Sequence, residues 1–123
     1  MLLKKNGKRS HGNHYEQKAC DYLEAQKYEI LAKNVNFSFG EIDVIAHERL
    51  RRGLTLVFVE VRKRDSRGFL EPEETVTFPK QMRLKNAIQT YLLKYRGPAT
   101  NIRIDLIGFK DEELRHRKNF ITY

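Results

Sequence analysis

The stretch that most constrains this chain is Leu-Thr-Leu-Val-Phe-Val-Glu-Val-Arg at 54–62. It is apolar at both parities, as a strand covered on both faces must be. Side chains alternate along a strand, so Leu54, Leu56, Phe58, Glu60 and Arg62 share one side and Val57, Val59, Val61 and Lys63 the other. A sheet built around such a strand needs a layer packed on each face. Glu60 ends an apolar row, where a carboxylate is costly unless it is paired or binds a cation.

The rest of the pattern supplies those layers. Tyr15, Ala19, Tyr22 and Leu23 carry helical spacing over 13–27, with Asn13 and Glu16 at capping-box separation. Strands are expected at 28–37 and 41–47, the second with Ile42, Val44 and Ala46 on one face and Asp43 and Ile45 on the other. The short basic link at 49–53 makes strands two and three an antiparallel pair. A long loop follows at 65–78, a position that is often functional. A helix then opens near Pro79, with its stripe on Leu84, Ala87, Ile88, Tyr91, Leu92 and Tyr95, and stops at Gly97-Pro98. A fourth strand is expected at 101–109 and a last edge strand at 119–123. The order α-β-β-β-α-β is that of an α/β fold with a mixed sheet flanked by helices, the 54–109 step allowing a right-handed parallel crossover.

The 123 residues fit one domain. Residues 1–11, with Lys4, Lys5, Lys8 and Arg9, read as a flexible basic arm, and 12–123 as the domain. A net charge of +8 favours polyanionic partners, and three clusters carry it: Arg49 to Arg52, Arg62 to Arg64, and Arg115 to Lys118. Contacts of that kind grip a phosphate backbone without reading sequence, so nucleic acid would be recognised by shape. The single cysteine, Cys20, excludes an internal disulfide or a Cys-rich zinc site and suits a reducing, cytoplasmic setting. No apolar run is long enough for a membrane span.

If strands two and three pair, Asp43 and Glu60 can meet on the sheet. Close carboxylates raise each other's proton affinity, and a divalent cation removes the conflict. Mg²⁺ is typically held by one or two carboxylates, water and substrate phosphate. Glu16 can reach the same place from the first helix, or serve the cap. Lys80 and Arg83 can project from the second helix toward a phosphate or lie on a solvated face. An ion pair between Glu60 and an arginine is the structural alternative at that position. Asp105 is expected to pair with Arg103. His14 and His47 lack ligand spacing, and His11 and His116 read as surface residues.

Gly40-Glu41-Ile42-Asp43-Val44-Ile45-Ala46 and Val57-Phe58-Val59-Glu60-Val61-Arg62, with Asn34 to Asn36 before them, resemble the YraN-type uncharacterised bacterial family (UPF0102). The likeness runs on through Phe69, Pro72, Glu74 and Val76, then Lys80 and Arg83-Leu84, to Arg103–Ile107, covering about 12–108. That family is similar to Holliday junction resolvases and to the PD-(D/E)xK superfamily. The resemblance implies a restriction-endonuclease-like three-layer fold. It also implies Mg²⁺ or Mn²⁺ on Asp43, Glu60 and Glu16, with Arg62 and Lys80 beside them, and admits a homodimer. Two residues depart from the pattern. Arg62 stands where the superfamily has lysine, and arginine is a poor base. The stretch Gly12 to Glu16 lacks the second glycine common before the family's glutamate.

Three functions are compatible with these residues: a metal-dependent nuclease for structured or branched DNA, a non-catalytic nucleic-acid-binding protein of the same fold, and a protein-interaction or structural domain.

Overall fold

A computed structural model describes residues 10–65, 67–68 and 70–123, with side chains from His14 onward. Lys4, Lys5, Lys8, Arg9 and Phe69, all given a place above, lie outside the described residues or their side chains. The elements are α1 (Ser10–Ala25), β1 (Glu29–Phe37), β2 (Gly40–Leu50), β3 (Gly53–Arg64), a 3₁₀ turn (Pro72–Thr75), α2 (Phe78–Lys94), β4 (Asn101–Lys110) and β5 (Glu113–Ile121).

The five strands form one sheet in the order β1-β2-β3-β4-β5. All neighbours are antiparallel except β3 and β4, which run parallel and are joined by the crossover through α2. The expected apolar rows of β3 separate as parity requires. Leu56 and Phe58 pack with Leu84, Ala87 and Ile88 of α2 on one face. Val57 and Val59 pack with Ala19, Cys20 and Leu23 of α1 on the other. Two helical layers thus cover a mixed sheet in the three-layer restriction-endonuclease-like arrangement.

Three expectations need correction. Helix α1 begins at Ser10, so Asn13 lies inside it and Glu16 stands in the second turn, too far along for a capping box. The last strand begins at Glu113, six residues before the expected Asn119. It turns back from β4 at Asp111, whose φ is 56°, and its charged sequence hides it because few of its side chains enter the core. One that does is His116, read as a surface residue: its side chain is 7% exposed and bonds to Asp105 at 2.8 Å and Tyr22 at 2.9 Å.

Asp105 is fully buried and pairs with Arg103, as expected, through bonds of 2.8 and 2.9 Å. It also accepts the Asn119 N–H at 2.9 Å, where a register shift in β5 opens the ladder. Burial alone would raise the Asp105 carboxyl, but these donors hold it below the ordinary range.

Candidate metal centre and flanking cleft

The site lies where β2 and β3 part. Their ladder runs from Leu50↔Gly53 to Val44↔Val59 and stops there. At the next position the Asp43 side chain replaces the missing backbone partner: Val61 N–H donates to Asp43 Oδ2 at 2.8 Å. The expected alternation of β2 fails at the same point. Ile42 packs with Ile45 on the α2 side, while Val44 and Ala46 pack on the α1 side. On the neighbouring strand β1, Asn34 has φ 53°, so the pleat is broken on both strands around Asp43.

The break collects carboxylates. Glu16 from α1, Glu41 and Asp43 each offer an oxygen, and these oxygens lie within 4.8 Å of one another. Glu16 and Asp43 are buried, and Glu41 is half-buried. Burial raises the Asp43 carboxyl well above the ordinary carboxylate range, and the charges of Glu60, Glu16 and Glu41 add to that, against the Val61 N–H bond. All donors are hard oxygens, the set that suits Mg²⁺ or Mn²⁺ rather than a soft metal. The cluster is therefore able to hold a divalent cation.

Glu60 lines the same cleft but is engaged differently: Arg62 Nη2 meets Glu60 Oε2 at 2.7 Å. Burial raises its carboxyl too, with Arg62 and Lys80 pulling the other way. Lys80, Arg83 and Leu84 of α2 close the cleft, which has a volume of about 330 Å³. The structure thus brings Glu16, Asp43, Glu60, Arg62, Lys80 and Arg83 together around one space. Gly40 admits α2 to that space, since a Cβ there would stand 3.0 Å from the Arg83 carbonyl oxygen.

Glu41 is the member that sequence reasoning passed over. The signal was its spacing: two residues before Asp43, it shares a side of the strand with it. Among the described residues His47 is not in this cluster; its ring is held by Tyr95 at 2.7 Å and Glu29 at 3.3 Å. The basic clusters divide. Arg62 lines the cleft, with Lys63 and Arg64 on the recess beside it, whereas Arg49 to Arg52 lies at the far end of β2 and β3. On β5, Arg115 pairs with Glu71, Arg117 with Glu73 and Lys118 with Glu48, so that cluster is largely spent inside the molecule.

The long loop is anchored over the sheet. Glu71 and Glu74 cap the 3₁₀ turn reciprocally, and Glu71 is gripped by Lys110 at 2.9 Å and Arg115 at 2.6 Å. Pro72 sits where a Cβ on Gly108 would be, 2.7 Å from its own Cβ.

A family model described as "Uncharacterised protein family UPF0102" matches residues 15–109. The chain belongs to UPF0102. A UPF0102 protein of Vibrio cholerae serotype O1 is 41% identical over 118 residues, covering 93% of each chain. One from Lachnoclostridium phytofermentans is 44% identical over 107 residues, covering 85% of this chain and 86% of the relative. One from Persephonella marina is 37% identical over 108 residues, covering 88% and 90%. This membership is consistent with the broad PD-(D/E)xK-like class. Among the described residues no helix is long and apolar enough to cross a membrane.

Proposed function

We propose that this UPF0102 protein is a metal-dependent nuclease that hydrolyses phosphodiesters of structured or branched DNA. The observation that carries the reading is the cluster of Glu16, Glu41 and Asp43, set in a cleft whose other charged residues include Arg62, Lys80 and Arg83. Carboxylates alone would repel a polyanion, and cations alone would need no such cluster. Both together fit a phosphate approaching a bound ion.

Glu16, Glu41 and Asp43 would hold the ion, with Glu60 available as a further oxygen donor once Arg62 turns to substrate. Bound Mg²⁺ or Mn²⁺ would supply Lewis acidity and orient the attacking water. Asp43 is fixed for its part by the Val61 N–H. Arg62 and Lys80 would bind the non-bridging phosphate oxygens and offset the charge that develops on them. Arginine is a poor base, so the role of Arg62 is electrostatic. A homodimer belongs to the same reading. Phe78 and Leu93, 72% and 74% exposed on the outer side of α2, are the apolar residues such a contact would bury.

The 2.7 Å Glu60–Arg62 pair favours a second reading, a non-catalytic nucleic-acid-binding protein in which that carboxylate is satisfied internally. Cleavage separates the two. Purified protein is incubated with single-stranded, duplex, flapped and four-way-junction DNA in Mg²⁺, Mn²⁺ or EDTA, beside folded Asp43→Ala and Glu60→Ala. The nuclease reading expects cleavage that needs the ion and is lost in both variants. Binding without cleavage in every condition would favour the second reading.

A further inference from the structure

Beside the carboxylate cleft lies a second recess of about 200 Å³, which shares Glu16, Val61 and Arg62 with it and adds Tyr15, Lys63, Arg64 and Thr75. It is smaller than the roughly 300–1,000 Å³ of pockets that take drug-sized ligands, a size suited to one planar ring system. We propose that it receives a single unpaired nucleobase, adjacent to the phosphodiester held over Glu16, Glu41 and Asp43. This inference rests on the nucleic-acid reading of the cleft and names the substrate class: a strand with an unpaired or weakly stacked nucleotide at the scissile bond.

The chemistry of the walls supports it. The Tyr15 ring is a fixed platform. Phe109 packs against it with centroids 5.0 Å apart, and the Tyr15 hydroxyl donates to Glu112 Oε2 at 3.3 Å. Lys63 Nζ stands over the ring at 5.7 Å from the centroid, a loose contact on an exposed side chain that a stacking base can replace. The displaced ammonium then has the nucleotide's own phosphate as partner. Thr75 spends its hydroxyl on the Pro72 carbonyl at 2.7 Å, and Val61 is aliphatic, so these two walls offer little competition for hydrogen bonds. An aromatic platform with a cationic rim takes any base by its π-face, without reading sequence. A base inside a duplex would have to be unstacked first, at a cost of a few kcal/mol, which an unpaired nucleotide is spared.

The test uses the full chain and 2-aminopurine placed at successive positions of a single-stranded oligonucleotide and of its duplex, in EDTA and in Ca²⁺. Anisotropy of an end label reports binding, and 2-aminopurine emission reports stacking. The expected result is a change in emission confined to one or two positions of the single strand. Tyr15→Phe should retain that change. Folded Tyr15→Ala should lose it and bind the single strand about 5- to 150-fold more weakly, with duplex affinity moved less than about 2-fold. Wild-type protein that binds these oligonucleotides with no position-dependent emission overturns the recess alone and leaves the cleft reading standing. So does a folded Tyr15→Ala that binds the single strand like wild type. Wild-type protein that binds neither strand nor duplex overturns both. If Tyr15→Ala does not fold, the wild-type position scan decides by itself.

Discussion

Asp43→Asn should stabilise the metal-free protein while removing its response to metal. Two unit charges 4.8 Å apart, the outer separation of the Glu16, Glu41 and Asp43 oxygens, repel by about 3.5 kcal/mol at an effective dielectric of 20. The substitution removes two of the three repulsive pairs at nearly constant shape. It also exchanges a charge-assisted bond from Val61 N–H for a neutral one, a loss of about 1 kcal/mol. Protonation already relieves part of the wild-type repulsion, because Asp43 is raised by burial and by Glu60. The net gain should be about 1–3 kcal/mol, or roughly 3–12 °C in Tm for a chain of this size. The sign with pH follows. A carboxyl whose folded-state value is raised favours folding below its unfolded value near 4 and loses that contribution as pH rises through the folded value. In EDTA the wild type should therefore weaken from pH 5 to pH 8, and Asp43→Asn should weaken less. Mn²⁺ at about 100 times its Kd should restore about 2.7 kcal/mol to the wild type and little to the variant, so adding metal closes or reverses the gap between the two melting curves. The assay is thermal unfolding by circular dichroism with EDTA or Mn²⁺. A variant no more stable than wild type in EDTA at pH 8, or one with an undiminished Mn²⁺ response, would show that Glu16, Glu41 and Asp43 do not act as one charged cluster.

Other consequences can be checked in the same way. Asp105→Asn removes the carboxylate that Arg103 and His116 share while leaving Arg103 its 2.8 Å pair with Glu48, and should cost about 1–3 kcal/mol in denaturant melts. Because the Asp105 carboxyl is held below its ordinary value, its contribution is present above the unfolded value near 4 and is lost as pH falls through the folded one; acid unfolding of the variant should show less pH dependence there. Cys20 is buried and its thiol is pushed up to about 11, so at pH 8 only about one molecule in a thousand carries the thiolate. Alkylation should be very slow until the chain is unfolded, and rapid labelling of the folded protein would contradict that burial. Gly108→Ala places a methyl 2.7 Å from Pro72 Cβ and should cost about 1–3 kcal/mol while making the 65–77 loop more sensitive to protease; a neutral effect on both would mean the 3₁₀ turn is not seated there.

The sequence was most legible where burial on both faces leaves no choice. The apolar parity of β3 fixes two layers, and the antiparallel partner β2 follows from the short basic link. Glu60 and Asp43 could be brought to one place on those grounds alone, and Arg103 with Asp105 by strand spacing. The strand β5 was hidden because its middle carries Arg115, His116, Arg117, Lys118 and Asn119, so that its apolar ends, Leu114 and Ile121, show no alternation. Glu41 was passed over for a related reason. A half-buried glutamate beside a loop looks like any solvated residue until Glu16 arrives from another layer. The break at Asp43 was also invisible, since the residues on either side, Ile42 and Val44, obey alternation in the sequence and depart from it where the Asp43 side chain takes a backbone N–H. Such departures from local pattern tend to fall at functional positions.

Anomalous diffraction at the manganese edge, from crystals soaked in Mn²⁺, tests the metal centre itself. A peak is expected at coordination distance from the carboxylate oxygens of Glu16, Glu41 and Asp43, lost in Asp43→Asn crystals. No peak in that cluster at Mn²⁺ concentrations well above those that shift the melting curve, or a peak elsewhere alone, would contradict it.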